Sequence, residues 1–72
     1  MDQFWDEENL VGQVPKGRDV VQVRRCVKKQ RCYIDIRTFW HDDADELRPG
    51  KGVALPVEVA EKVIELMREA VK

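Results

Sequence analysis

The residues best equipped for chemistry fall in one run, Arg31 to Trp40 (RCYIDIRTFW). Every second residue there is charged or aromatic: Arg31, Tyr33, Asp35, Arg37 and Phe39. A period of two is that of a β-strand, so these side chains share one face, and Cys32, Ile34 and Ile36 share the other. Guanidinium groups alternating with rings on an uncovered sheet suit an unpaired nucleic-acid strand. Unstacked bases present flat π-faces to the rings, while Arg and Lys track the phosphates and release their counterions. Tyr33 and Phe39 have a plainer use as well, as cross-strand packing partners. Trp40 follows Phe39, so strict alternation turns it to the Ile34/Ile36 side, where it can cap the core. A bulge or turn at the strand's end would swing the indole outward.

The formal net charge of −1 conceals a segregated pattern. Residues 16–31 carry Lys16, Arg18, Arg24, Arg25, Lys28, Lys29 and Arg31 against Asp19 alone, a formal +6. Residues 1–15 carry Asp2, Asp6, Glu7 and Glu8 with no cation, a formal −4. A polyanion responds to the patch within a Debye length of roughly 8–10 Å, not to the whole molecule. A solvated basic hairpin is the plain alternative.

Other chemistries find little support. In the acidic cluster Asp42, Asp43, Asp45 and Glu46, a calcium loop starting at Asp43 would need Gly and Glu where Arg48 and Ala54 stand. One His (His41) and two Cys fall short of a four-ligand zinc site. No Gly-rich phosphate loop, nucleophile elbow or paired-carboxylate spacing appears. The expectation is a non-enzyme with no metal and no cofactor. The longest apolar stretch is Val53 to Val57, too short to span a bilayer, and the acidic start does not read as a signal peptide. A cytoplasmic setting (nucleoid, or nucleus in a eukaryote) is expected, with Cys26 and Cys32 as free thiols.

The elements that must carry these residues follow from turn chemistry and periodicity. Residues 1–9 read as a flexible acidic arm and residues 10–72 as a single domain. Leu10 to Val14 forms a short strand, stopped by a turn at Pro15-Lys16-Gly17. Asp19 to Val27 is rich in β-branched residues and reads as a second strand. Arg31 to Trp40 is the third, residues 41–52 a polar loop, and Val53 to Leu55 a brief fourth. Pro56 fits the first position of a helix running to the end of the chain. That helix carries a stripe of Ala60, Val63, Ile64, Met67, Ala70 and Val71, widened by Val59 and Leu66. The fold class is therefore α+β, four antiparallel strands and one helix, with the helix over the Ile34/Ile36 face. A chain of 72 residues buries only about 60% of its unfolded surface alone. The broad stripe points to a homodimer with antiparallel helix pairing through Val59, Val63, Leu66 and Ala70.

The order YIDIRTFW (Tyr33 to Trp40), an acidic turn, LRPGKGVALP (Leu47 to Pro56) and an amphipathic helix resembles a known family. It is the transcriptional coactivator family called positive cofactor four (p15/Sub-one). The resemblance covers roughly residues 20–72. It implies a curved ββββα sheet, a small homodimer, and single-stranded DNA held along ridges of the sheet. By position, Trp40 matches the family's stacking tryptophan, Arg37 the arginine of its Ile-Asp-Ile-Arg strand, and Lys51 the lysine of its Gly-rich turn. Arg24 and Arg31 match cationic positions on the central strands. Cys26 or a neighbour falls where a stacking phenylalanine is often found, which leaves Tyr33 or Phe39 to replace it. The hairpin around Lys28-Lys29 is about two residues longer than the family's.

The expected nucleic-acid contacts are thus Arg24, Lys28, Lys29, Arg31, Tyr33, Arg37, Phe39, Trp40 and Lys51. The expected function is sequence-independent binding of single-stranded DNA, with RNA or melted duplex as variants, in transcription or in replication and recombination. A short chain of this kind points to a bacterial or phage protein, with replication or transcription proteins as further partners. The rival is a protein-interaction adaptor whose basic hairpin docks an acidic partner. The acidic arm, with Phe4 and Trp5, resembles phosphates and bases in its chemistry. It is expected either to lie in the basic groove and compete with DNA or to recruit a partner protein.

Overall fold

Backbone pairing extends the four β-rich runs well beyond their apolar cores. In the structure, a computed structural model that describes residues 4–72, the strands are β1 (Glu7–Lys16), β2 (Asp19–Lys28), β3 (Arg31–His41) and β4 (Leu47–Pro56). They pair in chain order, each antiparallel to the next, as one open curved sheet. The helix α1 (Val57–Ala70) follows directly, which completes the expected ββββα order.

Both edge strands are longer than their composition suggests. β1 begins at Glu7, so three residues assigned to the acidic arm are strand, paired from Glu7↔Val27 onward. β4 takes in Leu47 to Gly52, a stretch read as loop from its proline and glycines. Main-chain hydrogen bonds to a formed neighbour do not depend on side-chain hydrophobicity, and an edge strand tolerates proline because one side of it has no partner. Pro56 ends β4 as the N-cap of α1, and Val57 takes the first helical position expected for the proline.

Turn geometry sets the register. Gly17, with φ of 62°, opens the two-residue β1–β2 turn. Lys29 and Gln30, with φ of 50° and 67°, make the β2–β3 turn, and positive φ at both central residues is what a type I′ hairpin requires. The loop from β3 to β4 is built on Asp42, whose Oδ1 accepts from the N–H groups of Ala44 and Glu46, each at 2.9 Å. Its Oδ2 accepts from Arg48 Nε at 2.7 Å. These bonds, led by that from Glu46 and followed by that from Arg48, hold the Asp42 carboxyl below its ordinary range. The acidic cluster thus contributes its first carboxylate to the loop itself.

Opposite Thr38, β4 carries an extra residue, since Arg37 faces Gly52 and Phe39 faces Pro49. The bulge bends β4 rather than β3. At Gly52 the two strands approach so closely that a Cβ would stand 2.5 Å from the Ile36 carbonyl oxygen and 2.7 Å from Arg37 Cβ.

Burial is sparse. Only Cys26, Ala60 and Asp35 are buried among the described residues, Cys26 and Asp35 completely. The radius of gyration is 13.5 Å, against about 11 Å for a compact domain of this length, and the thinnest dimension is 17 Å. The sheet and helix form a thin, extended body. α1 packs on β3 and β4 through Ala60, with Val57 and Val63 half-buried. The rest of its apolar stripe stays uncovered, Leu66 being 69% and Met67 55% exposed.

Gly52→Ala is expected to push β4 off β3 and lower stability by about 1–3 kcal/mol. Gly12, where a Cβ would meet nothing within 4 Å, is the control. Urea unfolding of Gly52→Ala beside Gly12→Ala checks this, with the Gly12 variant expected to stay within about 0.5 kcal/mol of the parent.

Candidate nucleic-acid interface

Antiparallel register decides which side chains meet. Across β2 and β3, Arg24 stands opposite Asp35, Cys26 opposite Tyr33 and Lys28 opposite Arg31. β4 sets Ala54 beside Asp35, and β1 sets Glu8 beside Cys26. Small neighbours flanking large ones leave a groove of about 660 Å³ along this face. Arg24, Lys28, Tyr33, Arg37 and Phe39 line it, and α1 contributes nothing to it.

The groove rests on a buried ion-pair network. Asp35 has no exposed surface, although alternation alone places it on the open face. Arg37 grips its carboxylate with two donors, Nη2 to Oδ1 at 3.0 Å and Nε to Oδ2 at 3.3 Å. Arg24 Nη2 adds a third bond to Oδ2 at 3.0 Å. Each arginine is tied at a further point: Arg37 Nη1 donates to the Gly50 carbonyl at 3.0 Å, and Arg24 Nη1 to Glu8 Oε1 at 2.9 Å. Burial by itself pushes the Asp35 pKa up. The hydrogen bonds from Arg37 and then Arg24 outweigh it and hold the carboxyl below its ordinary range. Arg24 Nε is buried with no partner among the described residues.

Two rings line the groove with these cations. The Arg24 guanidinium lies 5.4 Å from the Phe39 ring centroid, a cation–π contact. Tyr33 lines the groove from the position paired with Cys26. Burial pushes the Cys26 thiol pKa up, which makes it an inert packing group. Cys32, paired with Val27, points to the other face, so the two free thiols cannot bridge.

The remaining expected contacts lie outside the groove. Lys29 is exposed at the hairpin tip, and Arg31 is exposed on the groove face beside it. Trp40 is 45% exposed and follows the alternation of β3 away from the groove, because the bulge near it belongs to β4. Lys51 is exposed on that bulge. Val59, Leu66 and Ala70 are exposed on α1, while Val63 is half-buried.

The groove also holds residues from ahead of β1. Phe4 and Trp5 line it, beside Glu8 of β1. Pro49 and Ala54 line it too. Neither announces itself in sequence, since both act by being small or flat.

An open antiparallel sheet with a basic and aromatic face, closed by a single helix, has the surface chemistry that suits nucleic acid. Residues 16–66 match the model of the family Transcriptional Coactivator p15 (PC4), and the chain belongs to that family. Membership supports a nucleic-acid-binding, coactivator-type role. Comparison with curated proteins found no match, and comparison with solved structures found none either.

Removing the Asp35 charge leaves two guanidiniums facing each other over a buried site. Asp35→Asn is therefore expected to lose about 3–5 kcal/mol, measured by urea unfolding near neutral pH. The folded pKa of Asp35 lies below its unfolded value, so its contribution is fully present above about pH 4. It is lost as pH falls through the lowered folded value. Urea midpoints measured across this acid range should fall more steeply in the parent than in Asp35→Asn.

Proposed function

We propose that this chain binds single-stranded DNA without sequence preference, as a homodimer, and serves where strands are held open, in transcription or in replication and recombination. The observation that carries the reading is the groove in which Arg24, Lys28 and Arg37 alternate with Tyr33 and Phe39, on the sheet of a PC4-family chain.

Capture is electrostatic and retention is by stacking. Lys28, Lys29 and Arg31 at the hairpin end and Lys51 on the β4 bulge offer charge along the edges of the sheet. Arg24 and Arg37 are pre-oriented by Asp35, so a phosphate meets guanidiniums that have already lost their side-chain freedom. Unpaired bases then stack on Tyr33 and Phe39. A duplex hides its base faces and gains only the charge contribution. The work of such a protein lies where DNA is, in the nucleoid or the nucleus, and it needs no catalytic group.

The uncovered helix face supports the dimer. Leu66, Met67 and Ile64 are exposed on α1, and a second copy packed antiparallel through Val59, Val63, Leu66 and Ala70 would cover part of this stripe. Two grooves would then share one rigid body, which raises affinity for a long strand through effective concentration.

Fluorescence anisotropy with single-stranded and duplex oligonucleotides of one sequence, across a salt series, tests the binding. Single strands are expected to bind more tightly, with log affinity falling against log salt by about 0.7 per phosphate neutralised. Tyr33→Ala and Phe39→Ala are each expected to cost about 1–3 kcal/mol. Equal retention of single strands and duplex, or indifference to both substitutions, would overturn the reading. In sedimentation, Leu66→Glu is expected to shift a dimer to monomer.

A further inference from the structure

We propose that the segment Phe4 to Glu8 is a built-in competitor for the groove, occupying its hairpin end until a nucleic-acid strand displaces it. The inference rests on the single-strand reading above and concerns how that site is regulated.

Phe4, Trp5 and Glu8 each meet a residue assigned to nucleic acid, with matching chemistry. The Trp5 ring lies 5.3 Å from the Tyr33 ring, tilted by 47°, within the range of favourable aromatic pairs, and so covers the ring face a base would use. Phe4 abuts Trp5 edge-on at 4.9 Å and 89°, extending the column outward. Lys28 Nζ sits 4.7 Å from the Phe4 ring centroid and also donates to the Phe4 carbonyl oxygen. Glu8 Oε1 accepts from Arg24 Nη1 at 2.9 Å, where a phosphate oxygen would bind. Rings stand for bases, and carboxylate or carbonyl oxygens stand for the backbone.

The backbone of the segment is anchored in the same place. Asp6 N–H donates to the Val27 carbonyl at 2.8 Å. Asp6 Oδ2 accepts from the Lys29 N–H at 2.8 Å, at the positive-φ turn. Its contacts stop at Arg24, so Arg37 and Phe39 stay open to a strand entering from the other end. Displacement then proceeds stepwise, a phosphate replacing Glu8 before a base replaces Trp5. Phe4 is 68% exposed, so the outermost ring gives up little when it leaves. The contacts of the segment are those of a weak competitor, one that sets a threshold for binding rather than closing the site.

The test compares the full chain, a deletion of residues 1–6, and Trp5→Ala, titrated with labelled oligothymidine at one salt concentration. Both changes lie ahead of β1, which starts at Glu7, and circular dichroism checks that the fold is kept. If the segment is docked about nine-tenths of the time, both variants should bind about tenfold more tightly. Amide exchange at Asp6 and Lys29 should be slow in the free full chain and fast once oligothymidine saturates it. Equal affinity of all three proteins, with binding intact, overturns the competitor and leaves the groove reading standing. Weaker binding by the variants also overturns it, and makes Trp5 a stacking platform of the site instead. Protection that persists in the complex overturns displacement. Failure of all three proteins to bind defeats the groove reading itself and the competitor with it.

Discussion

A carboxylate without water, held between two guanidiniums, organises this protein. Asp35 lies in the third strand of a sheet that buries almost nothing else. An ionised carboxyl in such a place is tolerable only while its lone pairs are filled. Arg24 reaches it across the β2–β3 pair and Arg37 along its own strand. Those bonds couple β2 to β3, and the tie from Arg37 to the Gly50 carbonyl extends them to β4. The tie from Arg24 to Glu8 extends them to β1. All four strands are thus joined through one buried charge.

The same network shapes the ligand face. It leaves each cation with a fixed direction and less than a full unit of free charge, because Asp35 and Glu8 lie beside them. Local charge in the groove is therefore modest, and the proposed binding draws on the rings as well as on the phosphates. Arginine suits this arrangement where lysine would not. Its planar fork satisfies a buried carboxylate with two donors while keeping a flat face for an aromatic neighbour, as Arg24 does toward Phe39.

Thinness is the second constraint. One sheet and one helix give a body 17 Å deep, with no second layer to bury the stripe on α1. A domain built this way has little burial of its own. The proposed self-association through α1 and the docking of Phe4 and Trp5 against Tyr33 are two answers to the same shortage, on different parts of the molecule.

Much was legible in the residues alone. The alternation of Arg31 to Phe39 defined a face, the i, i+3, i+4 stripe after Pro56 defined a helix, and the motif order named a family, because each is a local pattern with a fixed period. Local patterns fail where a neighbour does the work. β4 from Leu47 to Gly52 reads as loop, yet pairing with β3 makes it strand, and only the approach at Gly52 reveals why a glycine stands there. Asp35 reads as a solvent-facing charge, yet cross-strand register puts Arg24 opposite and Ala54 alongside, so the carboxylate is sealed. Trp40 reads either way, and the structure decided it by placing the bulge on β4, which leaves the alternation of β3 intact. Periodicity along one strand determined which residues share a face. Only the register between strands decided which of them touch, since contact depends on chain segments that no single window of sequence contains.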